Sequence, residues 1–276
     1  MLVTLNDVLP KAKKEGYAVG LFNTVNLEMA KGVIAAAEEL RSPVIIGTAE
    51  VLLPAASLED LACILLPLAK KATVPVVLHF DHGLREDTTK RAIELGFSSV
   101  MYDCSTLDFE GNVRAAAAMA KYAHDHGCSI EAELGHVGTE EALVPEDAYT
   151  SPEDAVRFCE ETNCDALAIS VGTSHGAYKF KPKLDFERIS TIRDLVKQPL
   201  VLHGGSGLSE DDFRQAIARG IAKVNIFTDL NCAEAKAAHD AWKPGMGMTE
   251  IMPLMTEAVK QATMTKMLLF GCNGKA

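Results

Sequence analysis

The chain has 276 residues, 38 of them Asp or Glu against 27 Lys or Arg, so its formal net charge is −11, and 48% of its residues are apolar. That supplies a large buried core, and the acidic balance leaves no basic face for nucleic acid or a membrane surface. The seven cysteines are odd in number and lack a C-x-x-C spacing, the N-terminus lacks a basic-then-apolar leader, and no apolar run approaches ~18 residues, so a cytoplasmic chain with reduced thiols is expected.

Strand-like and helix-like segments alternate along the whole length. The first strand is expected at 17–22, ending at Asn23, and a helix follows at 26–40. A second strand at 43–47 runs into Thr48, and Ser57 caps a helix at 58–72. The third strand, 75–80, is apolar and β-branched and ends in Asp81 and His82. The fourth, 98–102, ends at Asp103 and precedes a helix at 110–126. The fifth, 128–133, ends at Glu133, and beyond it Ser151 and Pro152 open another helix. The sixth, 165–170, leads to His175 and Gly176, and the seventh, 199–202, leads to His203. Ser209 then caps a helix at 209–219, and the eighth strand, 222–226, carries Asn225 and leads to Thr228. A final helix at 249–268 lies beyond the eighth unit. Eight such units in one chain imply an α/β fold, a (β/α)8 TIM barrel with an extra C-terminal helix, as one domain spanning 1–276. An open doubly wound sheet is the alternative, weakened because no G-x-G-x-x-G follows the first strand.

In such a barrel the chemistry sits at the C-terminal ends of the strands. His82, His175 and His203 fall at the ends of strands three, six and seven. Three imidazoles with an open fourth position make a catalytic zinc site. Asp81 adjoins His82 but alternates to the other side of the strand, as an acid or base or as a partner orienting a histidine. His79 is read as barrel filler, and His136 is left open. Gly204-Gly205-Ser206-Gly207 precedes a capped helix, and exposed amides in such a loop hold phosphate. Lys179, Asn225 and Thr228 fall near it in this architecture. The stretch from Gly135 to Tyr149 is long and acidic, either a solvated loop or a mobile segment over the barrel mouth.

These residues resemble the class II, metal-dependent ketose-bisphosphate aldolases, most closely the tagatose-bisphosphate type. The resemblance runs from Phe22-Asn23 to Gly271-Cys272. It rests on His79-Phe80-Asp81-His82, Glu131-Ala132-Glu133-Leu134-Gly135, Gly172-Thr173-Ser174-His175-Gly176, Leu202-His203-Gly204-Gly205-Ser206-Gly207 and Lys223-Val224-Asn225-Ile226. It implies one Zn2+ per subunit on His82, His175 and His203, with Asp103 and Glu133 near an alternative metal position. Asp81 would shuttle a proton at the aldehyde oxygen, and Glu141 would take one from the ketone. Asn23, Thr48, Gly176, Lys179, Gly204, Gly205, Ser206, Asn225 and Thr228 would bind substrate or its phosphate, helped by a monovalent cation such as Na+ or K+. The implied reaction is reversible cleavage of a phosphorylated ketose to dihydroxyacetone phosphate and an aldehyde, in a homodimer or homotetramer that in the tagatose type works with a helper subunit.

Two departures stand out, the first bearing on the substrate and the second on the role of Glu141. Pro253 stands where the family carries an arginine for the distal phosphate, and proline offers neither charge nor donor. Ala142 stands where an acidic residue follows the loop glutamate. An aldehyde without a terminal phosphate, bearing hydroxyls or a carboxylate, is therefore expected. The alternatives are a tagatose- or fructose-bisphosphate aldolase proper, a zinc hydrolase on the same barrel, a Schiff-base aldolase and a non-catalytic aldolase-like subunit.

Overall fold

The computed structural model describes residues 1–136, 138–139, 149–175 and 182–276, with the backbone alone at 138, 139 and 175. Eight strands form the barrel: β1 Val19–Asn23, β2 Val44–Ala49, β3 Val76–Gly83, β4 Ser99–Tyr102, β5 Ser129–Leu134, β6 Ala166–Ile169, β7 Leu200–Leu202 and β8 Ile221–Ile226. Each pairs in parallel with the next, and β8 returns to β1, with Asn225 opposite Leu21. The sheet is therefore closed and leaves no edge. The expected eight strands and the closing C-terminal helix are all present.

Among the described residues ten α-helices accompany the strands: α1 Leu5–Glu15, α2 Leu27–Leu40, α3 Leu58–Lys71, α4 Glu86–Glu94, α5 Phe109–Asp125, α6 Pro152–Thr162, α7 Phe186–Leu195, α8 Glu210–Arg219, α9 Thr228–Ala241 and α10 Met248–Phe270. The serine caps act as their spacing implies, because Ser57, Ser151 and Ser209 accept the amides of Asp60, Asp154 and Asp212. Val44, Ile45, Ile46, Val76, Val77 and Leu78 are fully buried, which is why β2 and β3 read as unbroken apolar runs. Among the described residues no helix is long and apolar enough to cross a membrane.

α1 has no counterpart among the expected elements. Pro10 inside it speaks against a helix, yet Leu5, Val8, Leu9 and Ala12 recur at helical spacing and are all buried. Asp7 accepts both the amide and the hydroxyl of Thr4 at its start. The amide of Leu5 bonds Ser129 Oγ at the first residue of β5, so α1 docks at the N-terminal end of the barrel. Leu2 and Val3 add a short strand beside Val76 and Val77 at that end. The opposite end is left to the site.

Candidate active site and metal centre

The third strand does not end regularly. His79 pairs with Ser99 and Phe80 with Val100, but the next pair is Gly83 with Tyr102, so one extra residue bulges from β3. The bulge contains Asp81 and His82, and His82 takes φ = 98°. Regular alternation places the two on opposite sides; the bulge instead turns both to the mouth, where both line a cavity of about 350 Å³. A non-glycine backbone in that region costs on the order of 1–3 kcal/mol and persists where surrounding contacts impose it.

His82 and His203 meet there. His82 Nε2 lies 2.6 Å from His203 Nδ1, and the rings cross edge to face at 87°. Each ring is held from behind by a carboxylate: His82 Nδ1 donates to Asp103 at 2.9 Å and His203 Nε2 donates to Glu131 at 2.7 Å. A carboxylate only accepts, so these contacts fix the N–H on the outer nitrogens and turn a lone pair on each ring toward the other. Two facing lone pairs repel unless a proton or a cation lies between them. Imidazole nitrogens backed by carboxylates are a usual metal-ligand arrangement, so this donor set fits a divalent ion. Asp81, His82 and His203 offer ligand atoms within 4.8 Å of one another, and so do His82, Asp103 and Glu133. Asp103 and Glu133 thus lie together beside His82.

The electrostatics point the same way. Burial opposes a charged His82, but Asp81 and the bond to Asp103 outweigh it and raise its pKa to about 9. Burial and the neighbouring His82 push His203 down. Burial also works against the Asp81 and Asp103 carboxylates, yet the adjacent imidazoles hold both well below the usual range. The pocket therefore favours positive charge between its carboxylates.

Asp81 is fixed from two sides. Asn23 Nδ2 donates to its Oδ2 at 2.7 Å, and Asn225 Nδ2 donates to its Oδ1 at 2.9 Å. Asn225 in turn accepts from Lys223 Nζ at 2.8 Å, and the same ammonium lies 2.8 Å from Glu131 Oε2. Both Lys223 and Glu131 are fully buried. Burial disfavours the Glu131 charge, but Lys223 and His203 bring its pKa down to about 2. The sequence alone assigns no role to Lys223 or Glu131. Their signal was there: each stands two residues before a recognised site residue, Asn225 or Glu133, inside an apolar strand, and so shares its face. His79 is also interior; its Nδ1 meets Ser99 Oγ at 2.7 Å, and its Nε2 lies 3.9 Å from Asp81. Burial and the charge of Lys223 lower its pKa to about 3, so it is neutral.

Gly204, Gly205, Ser206, Asn225 and Thr228 line the cavity, as does His136, whose Nδ1 lies 3.1 Å from Ser105 Oγ. Gly204 has φ = 66°, and a Cβ there would fall 2.3 Å from the Ser174 carbonyl oxygen. Only glycine lets the two segments come so close. Ser174 and His175 form a short strand with Gly138 and Thr139, so the backbone of His175 runs beside the Gly204 loop. The His175 side chain, Glu141, Gly176 and Lys179 lie outside the described residues. Thr48 corrects an expectation. It pairs with Phe80, whose ring packs on Phe97 after α4, so the pleat sends Thr48 to the helix layer and puts Ala49 on the cavity wall. Pro253 lies exposed within α10.

Residues 3–275 match the family model described as fructose-bisphosphate aldolase class-II. The crystal structure of the YdjI aldolase from Escherichia coli K12 superposes with a TM-score of 0.92 at 39% identity, covering 100% of both chains. A fructose-bisphosphate aldolase of Thermus caldophilus is 40% identical, with full coverage of both. A 6-phospho-5-dehydro-2-deoxy-D-gluconate aldolase of Halalkalibacterium halodurans is 38% identical over 100% of this chain and 98% of its own.

Proposed function

This chain belongs to the class-II fructose-bisphosphate aldolase family, and from that premise we propose that it cleaves a phosphorylated ketose reversibly, with zinc, to dihydroxyacetone phosphate and an aldehyde without a terminal phosphate. The observation that carries the reading is the facing pair His82 Nε2 and His203 Nδ1, each ring backed by a carboxylate, beside Asp81 in one cavity. His82 and His203, with His175 as third ligand, would hold the zinc. Bound there, it supplies a Lewis acid that draws charge from the ketone oxygens.

The chain's own residues account for the remaining steps. In cleavage, ionised Asp81, aimed by Asn23 and Asn225, takes the proton of the hydroxyl at C4. The bond between C3 and C4 breaks, its electron pair stays on C3, and the aldehyde leaves. Glu141 returns a proton to that carbon, which completes dihydroxyacetone phosphate; condensation is the reverse. The phosphate is assigned to the amides of Gly204, Gly205 and Ser206, to Gly176 and Lys179, and to a monovalent cation such as Na+ or K+. The N-terminus of α9 at Thr228 opens on the same cavity and adds a favourable dipole for an anion. Asn225 and Thr228 are assigned to the rest of the dihydroxyacetone moiety.

Pro253 supports an aldehyde without a distal phosphate. The name of the gluconate aldolase relative describes a singly phosphorylated sugar acid, which is compatible with such a substrate. We assign the activity to residues 1–276 as one catalytic unit, in a homodimer or homotetramer, and the free cysteines suit a reducing cytoplasm. The test is zinc-loaded cleavage of a panel of ketose 1-phosphates and 1,6-bisphosphates, followed by release of dihydroxyacetone phosphate. Chelator-sensitive release favouring the monophosphates is expected. Equal or better turnover of fructose or tagatose bisphosphate would overturn the substrate assignment, and no release from any ketose would overturn the activity.

A further inference from the structure

We infer that Val51, Leu52 and Leu84 form an apolar shelf that determines aldehyde specificity, selecting an uncharged aldehyde over one ending in phosphate or carboxylate. The inference rests on the aldolase reading and narrows it.

Three observations carry it. The first is the division of the cavity. Gly204, Gly205, Ser206 and the start of α9 supply amides on one part of its wall, whereas Ala49, Val51, Leu52 and Leu84 come from the ends of β2 and β3 and the loops after them. A phosphate held by the amides therefore directs the other end of the substrate to the aliphatic side chains. The second is exposure. Val51 is 66% and Leu84 is 55% exposed, although both line a cavity whose floor is polar. Large apolar side chains left open at a binding cavity mark contact with a ligand's hydrocarbon surface. The third is charge. Among the described residues the cavity wall carries no lysine or arginine. Of the charges beside the shelf, the Asp103 carboxylate lies on the wall and Glu50 stands between Ala49 and Val51, while Arg85, next to Leu84, is paired with Asp87 and is not part of the wall. Beyond the histidine centre, a dianionic phosphate or a carboxylate placed here would find no lysine or arginine on the described wall and would lie beside the carboxylates of Asp103 and Glu50. An uncharged aldehyde loses nothing by that arrangement.

The shelf is held in place. Glu50 Oε2 accepts the amide of Leu84 at 2.6 Å and that of Arg85 at 3.1 Å. This carboxylate ties the loop after β3 to the short helical turn Glu50–Leu52, so Leu84 is fixed beside Val51 and Leu52. The positions are set by backbone contacts, and the exposed side chains are open to substitution.

The experiment is condensation of dihydroxyacetone phosphate by the zinc-loaded enzyme with glyceraldehyde 3-phosphate, glyoxylate, glyceraldehyde, lactaldehyde and propanal. Wild type is expected to favour the uncharged aldehydes by at least about tenfold in kcat/KM, which is the discrimination that about 1.4 kcal/mol provides. Leu84→Arg and, separately, Val51→Lys should lower the ratio of kcat/KM for glyceraldehyde over glyceraldehyde 3-phosphate by about tenfold or more. That ratio cancels any loss common to both substrates. Leu84→Met, which keeps the apolar surface, should leave it unchanged. A wild type that uses glyceraldehyde 3-phosphate or glyoxylate as well as the uncharged aldehydes overturns the inference, as does a ratio unmoved by both cationic variants. Wild-type exchange of the dihydroxyacetone phosphate hydrogens with solvent separates the two levels: exchange with the wrong preference sinks the shelf alone, and absence of exchange sinks the aldolase reading beneath it.

Discussion

Replacing Lys223 by Met tests whether the charge network inside the barrel is what holds the site. Lys223 Nζ lies 2.8 Å from Glu131 Oε2 and 2.8 Å from Asn225 Oδ1, with both charged side chains fully buried. At an effective dielectric of ~20, the direct attraction across that gap is about 6 kcal/mol, much of it offset by the cost of desolvating both ions. Methionine fills similar space but leaves Glu131 charged, buried and without its counter-ion. Breaking such a pair from one side costs about 3–5 kcal/mol. For 276 residues the unfolding entropy is roughly 0.6 kcal/mol/K, so the loss corresponds to about 5–9 °C in Tm. Urea denaturation of K223M, of Glu131→Gln and of the double variant supplies the cycle. The double variant should recover a coupling of about 2 kcal/mol or more relative to the sum of the singles. A K223M protein within about 0.5 kcal/mol of wild type, or strictly additive variants, would refute the reasoning, because either means the pair is solvated or not coupled.

Two further expectations follow from the same geometry. Glu131→Gln removes the negative charge behind His203 and should weaken zinc binding by about 10- to 100-fold in chelator competition, so an unchanged affinity would show that Glu131 does not tune the ligand. Asp81→Asn keeps the shape of the bulge but not the base, and should lower kcat for cleavage by about 10²- to 10⁴-fold while retaining the wild-type zinc content. Loss of zinc from that variant would instead make Asp81 a ligand.

The barrel was readable because its signal repeats: eight apolar runs, each ending in a ligand-capable polar residue. The strand ends alone bring Asp81, His82, Asp103, Glu133, His203 and Asn225 into one neighbourhood. They cannot locate the bulge in β3, because the pattern along one strand says nothing of the partner's register. Asp81 and His82 were accordingly placed on opposite sides, whereas the extra residue turns both inward. Thr48 failed by the reverse route. It belongs to the strand itself and obeys the alternation, which carries it outward with Phe80. The Lys223–Glu131 pair was visible only as two charges in apolar runs, and its pairing needed the closed sheet to bring β5 and β8 across one interior. Val51 and Leu84 are ordinary loop residues in the sequence, and only the Glu50 hydrogen bonds between two loops make them one surface.

The most direct test of the central claim needs no knowledge of the aldehyde. Dihydroxyacetone phosphate is incubated with the enzyme in deuterated water, and loss of a hydrogen signal at its hydroxymethyl carbon is followed by proton NMR. The zinc-loaded enzyme should exchange one of the two hydrogens without any aldehyde present, stop when chelator removes the metal, and resume when zinc is restored. Exchange that survives complete metal removal, or no exchange by the zinc-loaded protein, would contradict a metal-centred aldolase built on His82 and His203.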